Sequence, residues 1–196
     1  MTTQLKKNRL TILLIFAMSV IPFGIAWYLA EHPQTVNLGT NNGELITPPT
    51  ITDLAEFSGY DSFSAQNLKE LQGHWIMINF LPEGQCSEAC KDALHKTRQI
   101  SLMMGKDIAR IRRLAVVYQA NAEAFPKEWQ EDARLLKVLP SKTLQDKLRG
   151  ITTGHSDGML LIMDPLGNLM MKYQAGYDPY KVRNDLSKLL RISQIG

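Results

Sequence analysis

A long apolar segment near the N-terminus dominates the hydropathy pattern. Leu10 to Ala30 comprises 21 residues without a charged side chain. A helix of about 20 apolar residues is long enough to cross the hydrocarbon core of a bilayer. Pro22 and Gly24 lie inside this segment, but membrane helices tolerate both residue types. The pattern therefore predicts one transmembrane helix over residues 10–30.

The charges before this helix predict its orientation. Three basic residues precede the apolar segment, at positions 6, 7 and 9. Basic flanks stay on the cytoplasmic side, so residues 1–9 are predicted to be cytoplasmic and everything after His32 to lie across the membrane. In a bacterium this describes a single-pass protein of the inner membrane with a periplasmic C-terminal domain. A cleaved signal peptide is the alternative, but its apolar region would be shorter and would end in an A-x-A-like site rather than YLAE.

The pattern then changes to a polar linker followed by a single domain. Residues 31–60 show little apolar periodicity and are rich in proline, glycine and asparagine, a composition typical of linkers. Residues 61–196 contain regular apolar patterns and have the length of one domain. The chain has a formal net charge of +3 with interspersed signs, which gives no indication of a nucleic-acid partner.

Four nearly continuous apolar runs in the domain predict buried strands. The turn sequence DPLGN separates the last two runs and predicts a tight hairpin. Segments with helical character lie between the strands, and Ser64, Ser141 and Asp178 are suitable N-caps. The predicted strands are 74–81, 113–119, 158–164 and 169–174. The predicted helices are 64–71, 87–104, two short helices within 125–151 split at Pro140, and 178–192.

This order of elements predicts the fold. Right-handed crossovers make the first two strands parallel neighbours, and the tight turn makes the last two an antiparallel hairpin. The resulting fold class is α/β, a thioredoxin-like sandwich with a central mixed sheet, preceded by one N-terminal transmembrane helix. Open α/β sheets place their sites at the carboxyl ends of strands.

The two cysteines of the chain, Cys86 and Cys90, lie where the first predicted strand meets its helix. The N-terminus of a helix stabilises negative charge, so the pKa of the Cys86 thiol is expected to be lowered. Thiolates attack disulfides and bind soft metal ions, of which Cu(I) suits two sulfurs better than Zn²⁺ does. A structural disulfide is the alternative, although so short a loop constrains the unfolded chain little.

A third ligand could come from one of four histidines. His155 lies in the loop before the third predicted strand, where another loop can approach it. His95 follows Cys90 by five residues, which turns its side chain about 140° away on the helix, so it is predicted to face solvent. His32 falls in the linker, and His74 opens the first strand at the end away from the cysteines.

The segments INFLPEGQCSEACKDAL and GHSDGMLLIMDPLGN resemble the Sco family of copper proteins, which serve cytochrome c oxidase assembly. The resemblance implies a membrane-anchored thioredoxin-like domain in which Cys86, Cys90 and His155 bind Cu(I). The family usually has prolines beside the cysteines and aspartate before the histidine, whereas Gln85 and Gly154 occupy such positions here. The chain thus resembles a divergent member, with a respiratory oxidase subunit or assembly factor as the expected partner.

Three functional hypotheses follow. The first is copper delivery or thiol maintenance during cytochrome c oxidase assembly. The second is a thiol–disulfide oxidoreductase, in which Cys86 attacks a partner disulfide and Cys90 resolves the mixed disulfide. The third is a non-catalytic scaffold for a membrane complex, in which the cysteines only form a staple.

Overall fold

The computed structural model describes residues 2–32, 40–81, 86–118, 127–130, 132–154 and 156–193. The predicted linker and the loop that leads to Cys86 are therefore described only in part, and His155 lies outside the described residues. The chain divides into two compact units, Met1–Thr40 and Asn41–Gly196.

The N-terminal unit consists of one helix, α1, Thr2–Glu31. Its segment Lys7–Glu31 is long and apolar enough to cross a membrane, with a mean hydropathy of 2.2 in its most apolar window, and its side chains are exposed. Pro22 lies within the helix without ending it. The predicted candidate span is thereby confirmed.

The C-terminal unit contains a seven-stranded mixed sheet. Its spatial order is β1-β7-β6-β3-β4-β5-β2. The strand pairs β3–β4 and β4–β5 are parallel, and the other four pairs are antiparallel. The strands are β1 Glu44–Ile51, β2 Phe57–Gly59, β3 Trp75–Leu81, β4 Ile111–Val117, β5 Leu135–Pro140, β6 Leu160–Met163 and β7 Asn168–Tyr173.

Helices cover both faces of this sheet. They are α2 Ser62–Gln66, α3 Glu88–Met103, α4 Lys127–Gln130, α5 Lys142–Thr152 and α6 Pro179–Ile192. Successive residues of β3 enter opposite layers, as the period of two in a strand requires. Ile78 belongs to one core with Leu144 of α5, whereas Met77 belongs to another with Ile100 of α3 and Leu186 of α6. The predicted thioredoxin-like sandwich is confirmed.

The local signals for turns and caps were informative. Ser141 and Asp178 cap α5 and α6 as predicted, each accepting a hydrogen bond from a backbone N–H of the first turn. The predicted hairpin between β6 and β7 is also formed, because the Asp164 carboxylate accepts the N–H groups of Leu166 and Asn168. These signals act within a few residues, so they can be read from the sequence without knowledge of the tertiary structure.

Two predicted elements were wrong. Ser64 does not cap a helix: Asp61 caps α2, and the buried Ser64 hydroxyl accepts the N–H of Lys137. Part of the helical segment predicted before Pro140 is instead the strand β5, whose residue Lys137 is 3% exposed. Its ammonium group donates to Asp61 at 3.0 Å and to the Gln130 carbonyl at 2.6 Å. These tertiary partners allow a charged residue to lie within a buried strand.

The predicted linker also needs correction. Glu44–Ile51 and Phe57–Gly59, both within residues 31–60, form the two edge strands β1 and β2. The C-terminal unit therefore begins before residue 61. Prolines 48 and 49 are compatible with β1 because it is an edge strand whose pairing with β7 is irregular between Leu45 and Thr50.

Candidate dithiol site

Cys86 and Cys90 form a disulfide at the carboxyl end of β3, with their Cα atoms 5.4 Å apart. Cys86 precedes α3, and Cys90 lies in its first turn, the arrangement that the sequence predicted. The sulfurs can meet across three intervening residues because the chain turns from loop into helix between them. The expected convergence of the two sulfurs is thus present.

Ser87 sets the start of this helix. It is the N-cap residue of α3, and its hydroxyl oxygen accepts the N–H of Cys90 at 3.1 Å. A serine N-cap satisfies one of the backbone donors that a helix leaves unpaired at its start. This hydrogen bond therefore holds the peptide unit of Cys90 in place relative to Ser87, which directly follows Cys86.

The disulfide lies against the core. Cys86 and Cys90 belong to a buried cluster that includes Val117 of β4 and Trp129 of α4. Cys86 is 8% exposed and Cys90 only 1%. Both cysteines are therefore buried, and Cys86 is the more exposed residue of the pair.

The loop segment 156–158 lies on the disulfide-bearing end of α3. The Ser87 hydroxyl donates to the Asp157 carboxylate, at 2.9 Å from Oδ1 and 2.7 Å from Oδ2. A Cβ atom on Gly158, whose φ is +71°, would lie 2.9 Å from the Cβ atom of Ala89, so only glycine permits this approach. Ser156 donates to Tyr118 at the end of β4; burial raises the pKa of Tyr118, and this bond partly offsets that rise.

The contacts of two described histidines, His74 and His95, do not indicate that either binds a metal ion. His95 is exposed on α3, as predicted, with its Nε2 atom 2.8 Å from the Gln99 side-chain nitrogen. His74 Nδ1 lies 3.1 Å from the Glu70 carbonyl oxygen, before β3. In the part of the chain that the structure describes, no group of three or more His, Cys, Asp or Glu residues could hold a metal ion.

Sequence reasoning missed three contributors to this site. Ser87 could have been found, because serine before a helical pattern is a cap signal. Asp157 could not, since it lies 70 residues from Ser87 along the chain. Trp129 is 3% exposed, with the guanidinium carbon atoms of Arg98 and Arg113 at 5.8 and 6.0 Å from its ring centroid. Its position within a predicted short helix did not indicate this burial.

Comparison with known proteins is consistent with this architecture. A family model described as "Transmembrane-like, thioredoxin-like, C-terminal domain" matches residues 75–193. Copper-bound Sco1 from yeast is 17% identical, with a TM-score of 0.50; the match covers 64% of this chain and 83% of the yeast chain. No curated protein matches the sequence.

Two further solved structures are similar. An SCO1/SenC family lipoprotein from Bacillus anthracis is 15% identical with a TM-score of 0.49, over 74% of this chain and 99% of that one. The thioredoxin domain of a thiol-disulfide oxidoreductase from Bacteroides vulgatus is 18% identical with a TM-score of 0.43, over 62% and 83%. The resemblance to Sco proteins is confirmed at the level of the fold, which identities this low can show.

Proposed function

Since the chain belongs to the transmembrane-like, thioredoxin-like C-terminal domain family, we propose that it is a membrane-anchored dithiol protein that delivers copper or maintains thiols during cytochrome c oxidase assembly. The observation that carries this proposal is the convergence of the Cys86 and Cys90 sulfurs at the start of α3. Two cysteines placed there can alternate between a disulfide and a dithiol.

The donor set fits Cu(I). When the disulfide is reduced, two thiolates are available within one turn of chain, and soft sulfur ligands favour Cu(I) over hard cations. His155 would supply the third ligand. The contact of Asp157 with Ser87 supports this role, because it brings residues that follow His155 onto the cysteine segment. The copper-bound yeast Sco1, which shares the fold, adds to this support.

The thiol-maintenance branch proceeds by disulfide exchange. The Cys86 thiolate attacks one sulfur of a partner disulfide, forms a mixed disulfide and releases one partner thiolate. The Cys90 thiolate then attacks the Cys86 sulfur, which restores the internal disulfide and releases the second partner thiolate. Two electrons pass from this chain to its partner, and a separate dithiol reductant of the same compartment returns the pair to the reduced form.

The proposed location follows from α1. Its apolar segment is long enough for a single membrane crossing, and the basic residues of α1 that precede this segment favour a cytoplasmic N-terminus. The dithiol domain would then face the periplasm of a bacterium, where thiols become oxidised unless a reductant maintains them. A membrane-bound respiratory oxidase subunit or assembly factor is the partner that this placement suits.

The proposal that the chain delivers copper predicts a specific effect of substituting His155. Reduced full-length protein in detergent is expected to bind Cu(I), and His155→Ala is expected to lower the affinity about tenfold or more, because loss of one ligand leaves two-coordinate copper. Competition with a chromophoric Cu(I) chelator measures this affinity. His95→Ala is the matched control, since His95 is exposed on α3, and should bind like the wild type. Equal affinity in the wild type and His155→Ala would remove His155 from the ligand set.

The second candidate function is a thiol–disulfide oxidoreductase, which the formed disulfide and the greater exposure of Cys86 favour. Cys90→Ala is expected to accumulate mixed disulfides with partner proteins, because the resolving thiol is missing. Non-reducing electrophoresis of membranes after acid quenching measures them. Cys86→Ala is the control and should form few such adducts. Equal adduct formation by both variants would argue against Cys86 as the attacking residue.

A further inference from the structure

Two residues of the loop 156–158, Asp157 and Gly158, contact the segment that the disulfide closes. Three residues lie between Cys86 and Cys90, and two of them meet this loop. The Ser87 hydroxyl donates to the Asp157 carboxylate. Gly158 lies so close to Ala89 that a Cβ atom on Gly158 would be 2.9 Å from the Cβ atom of Ala89. The loop therefore contacts the short chain segment whose two ends the disulfide joins.

The hydrogen bonds of Ser87 define which groups donate and which accept in this contact. A serine hydroxyl has one proton to donate and lone pairs to accept with. The proton goes to the Asp157 carboxylate, at 2.7 Å from the nearer oxygen, which leaves the oxygen lone pairs to accept the Cys90 N–H at 3.1 Å. Asp157 thus orients the hydroxyl that holds the peptide unit of Cys90.

We propose that Asp157 is a positioning residue that stabilises the disulfide form of the Cys86–Cys90 pair through Ser87. When the disulfide is formed, it holds Ser87 where its hydroxyl meets Asp157. In the dithiol form the segment between the two cysteines is freer, so the same hydrogen bond must also restrain that segment. This entropic cost weakens the hydrogen bond in the dithiol form. Coupling between two equilibria is reciprocal, so the contact stabilises the disulfide as much as the disulfide stabilises the contact. This inference rests on the proposed function in one respect, namely that the pair cycles between its two forms.

The test is the redox equilibrium of the pair in full-length protein at a fixed neutral pH. In glutathione buffers, the protein disulfide and two glutathione thiols exchange with the protein dithiol and one glutathione disulfide, and alkylation followed by mass spectrometry counts the two protein forms. Asp157→Ala is expected to shift this equilibrium toward the dithiol by about three- to tenfold, which is only part of the effect of one hydrogen bond to a charged group because the dithiol form keeps the contact in a weaker form. Ser87→Ala should produce a similar shift, and the double variant no further shift.

Conservative variants distinguish positioning from charge. Asp157→Asn keeps an acceptor for the Ser87 hydroxyl, and Ser87→Thr keeps the donor, so both are expected to remain within about twofold of the wild type. Asp92→Asn, which removes an exposed carboxylate from α3, should leave the equilibrium unchanged. A contact that only supports the fold would lower the stability of the oxidised and reduced proteins equally and would not move the redox equilibrium.

Three results would overturn this inference. They are an unchanged equilibrium in Asp157→Ala, additive shifts from Asp157→Ala and Ser87→Ala, and equal shifts in Asp157→Ala and Asp157→Asn. Each leaves the proposed function intact, because the assay contains neither copper nor a partner protein. A wild-type pair that even excess dithiothreitol fails to reduce in the folded protein would overturn both the inference and the proposed cycling of the pair.

Discussion

Full-length protein that carries both Cys86→Ser and Cys90→Ser is expected to bind no Cu(I), whereas the reduced wild type should bind about one ion per chain. The substitution replaces two soft thiolates with hydroxyl groups, which are poor ligands for Cu(I) at neutral pH. Anaerobic equilibrium dialysis in the absence of a thiol reductant, with the wild type reduced beforehand and copper supplied as Cu(I), measures the stoichiometry. Oxidised wild-type protein is the matched control, since its two sulfurs are bonded to each other, and it should also bind none.

The same double variant should still fold. The disulfide closes a loop of sequence separation four, so its loss is expected to lower the free energy of unfolding by about 2 kcal/mol or less. Circular dichroism during denaturant titration measures this change. Retention of stoichiometric Cu(I) by the folded double variant would show that the cysteines are not the ligands and would contradict the copper branch of the proposal.

The second large effect is expected at the buried ion pair between Arg113 and Asp132. Their side chains are 3% and 13% exposed, and Arg113 Nη2 lies 2.6 Å from Asp132 Oδ2. Removing one partner of a buried ion pair leaves the other charge without compensation. Asp132→Asn is expected to lower the free energy of unfolding by about 3 kcal/mol at neutral pH, since the amide oxygen can still accept one hydrogen bond.

This effect should depend on pH. Burial raises the pKa of Asp132, but the hydrogen bond and charge of Arg113 and the N–H of Arg134 outweigh it and leave the pKa below its ordinary value of 3.8. A carboxyl group with a lowered folded-state pKa contributes stability above the unfolded-state pKa, and this stability is lost as pH falls further. The difference between the wild type and Asp132→Asn should therefore shrink below about pH 4.

The control for this prediction is another Asp→Asn change. Asp92, which is 50% exposed, pairs with Lys96 at 2.7 Å on α3. Exposed helix pairs of this kind contribute about 0.5 kcal/mol or less, so Asp92→Asn should change stability little. Denaturant titrations of the three proteins at several pH values give the comparison. A loss in Asp132→Asn no larger than in Asp92→Asn, or one that is constant with pH, would contradict the assigned role of the pair.

Much of the fold was readable because its signals are local. The strand β3 is a continuous apolar run with every residue buried, and the caps Ser141 and Asp178 lie within a turn of the helices that they begin. The strand β5 was misread because Lys137 breaks its apolar pattern. Its partner Asp61 lies 76 residues away along the chain, and no local pattern encodes such a pairing.

In the candidate site, too, some features could be predicted from the sequence and others could not. The spacing of Cys86 and Cys90 and the helix pattern after them were sufficient to predict two converging sulfurs, because these features lie close together in the chain. The contacts of Asp157 with Ser87 and of Gly158 with Ala89 depend on the antiparallel pairing of β3 with β6, which carries the preceding loop to the start of α3.

The sequence by itself determined the apolar span of α1, the strands β3, β4, β6 and β7 with the helices α3, α5 and α6, and the cysteine pair at the start of α3, since each follows from residues close together in the chain. Only the tertiary structure decided the edge strands, the buried ion pairs and the partner of Ser87. These features join residues that are far apart in sequence, and their free energies depend on the register and burial that the folded sheet provides.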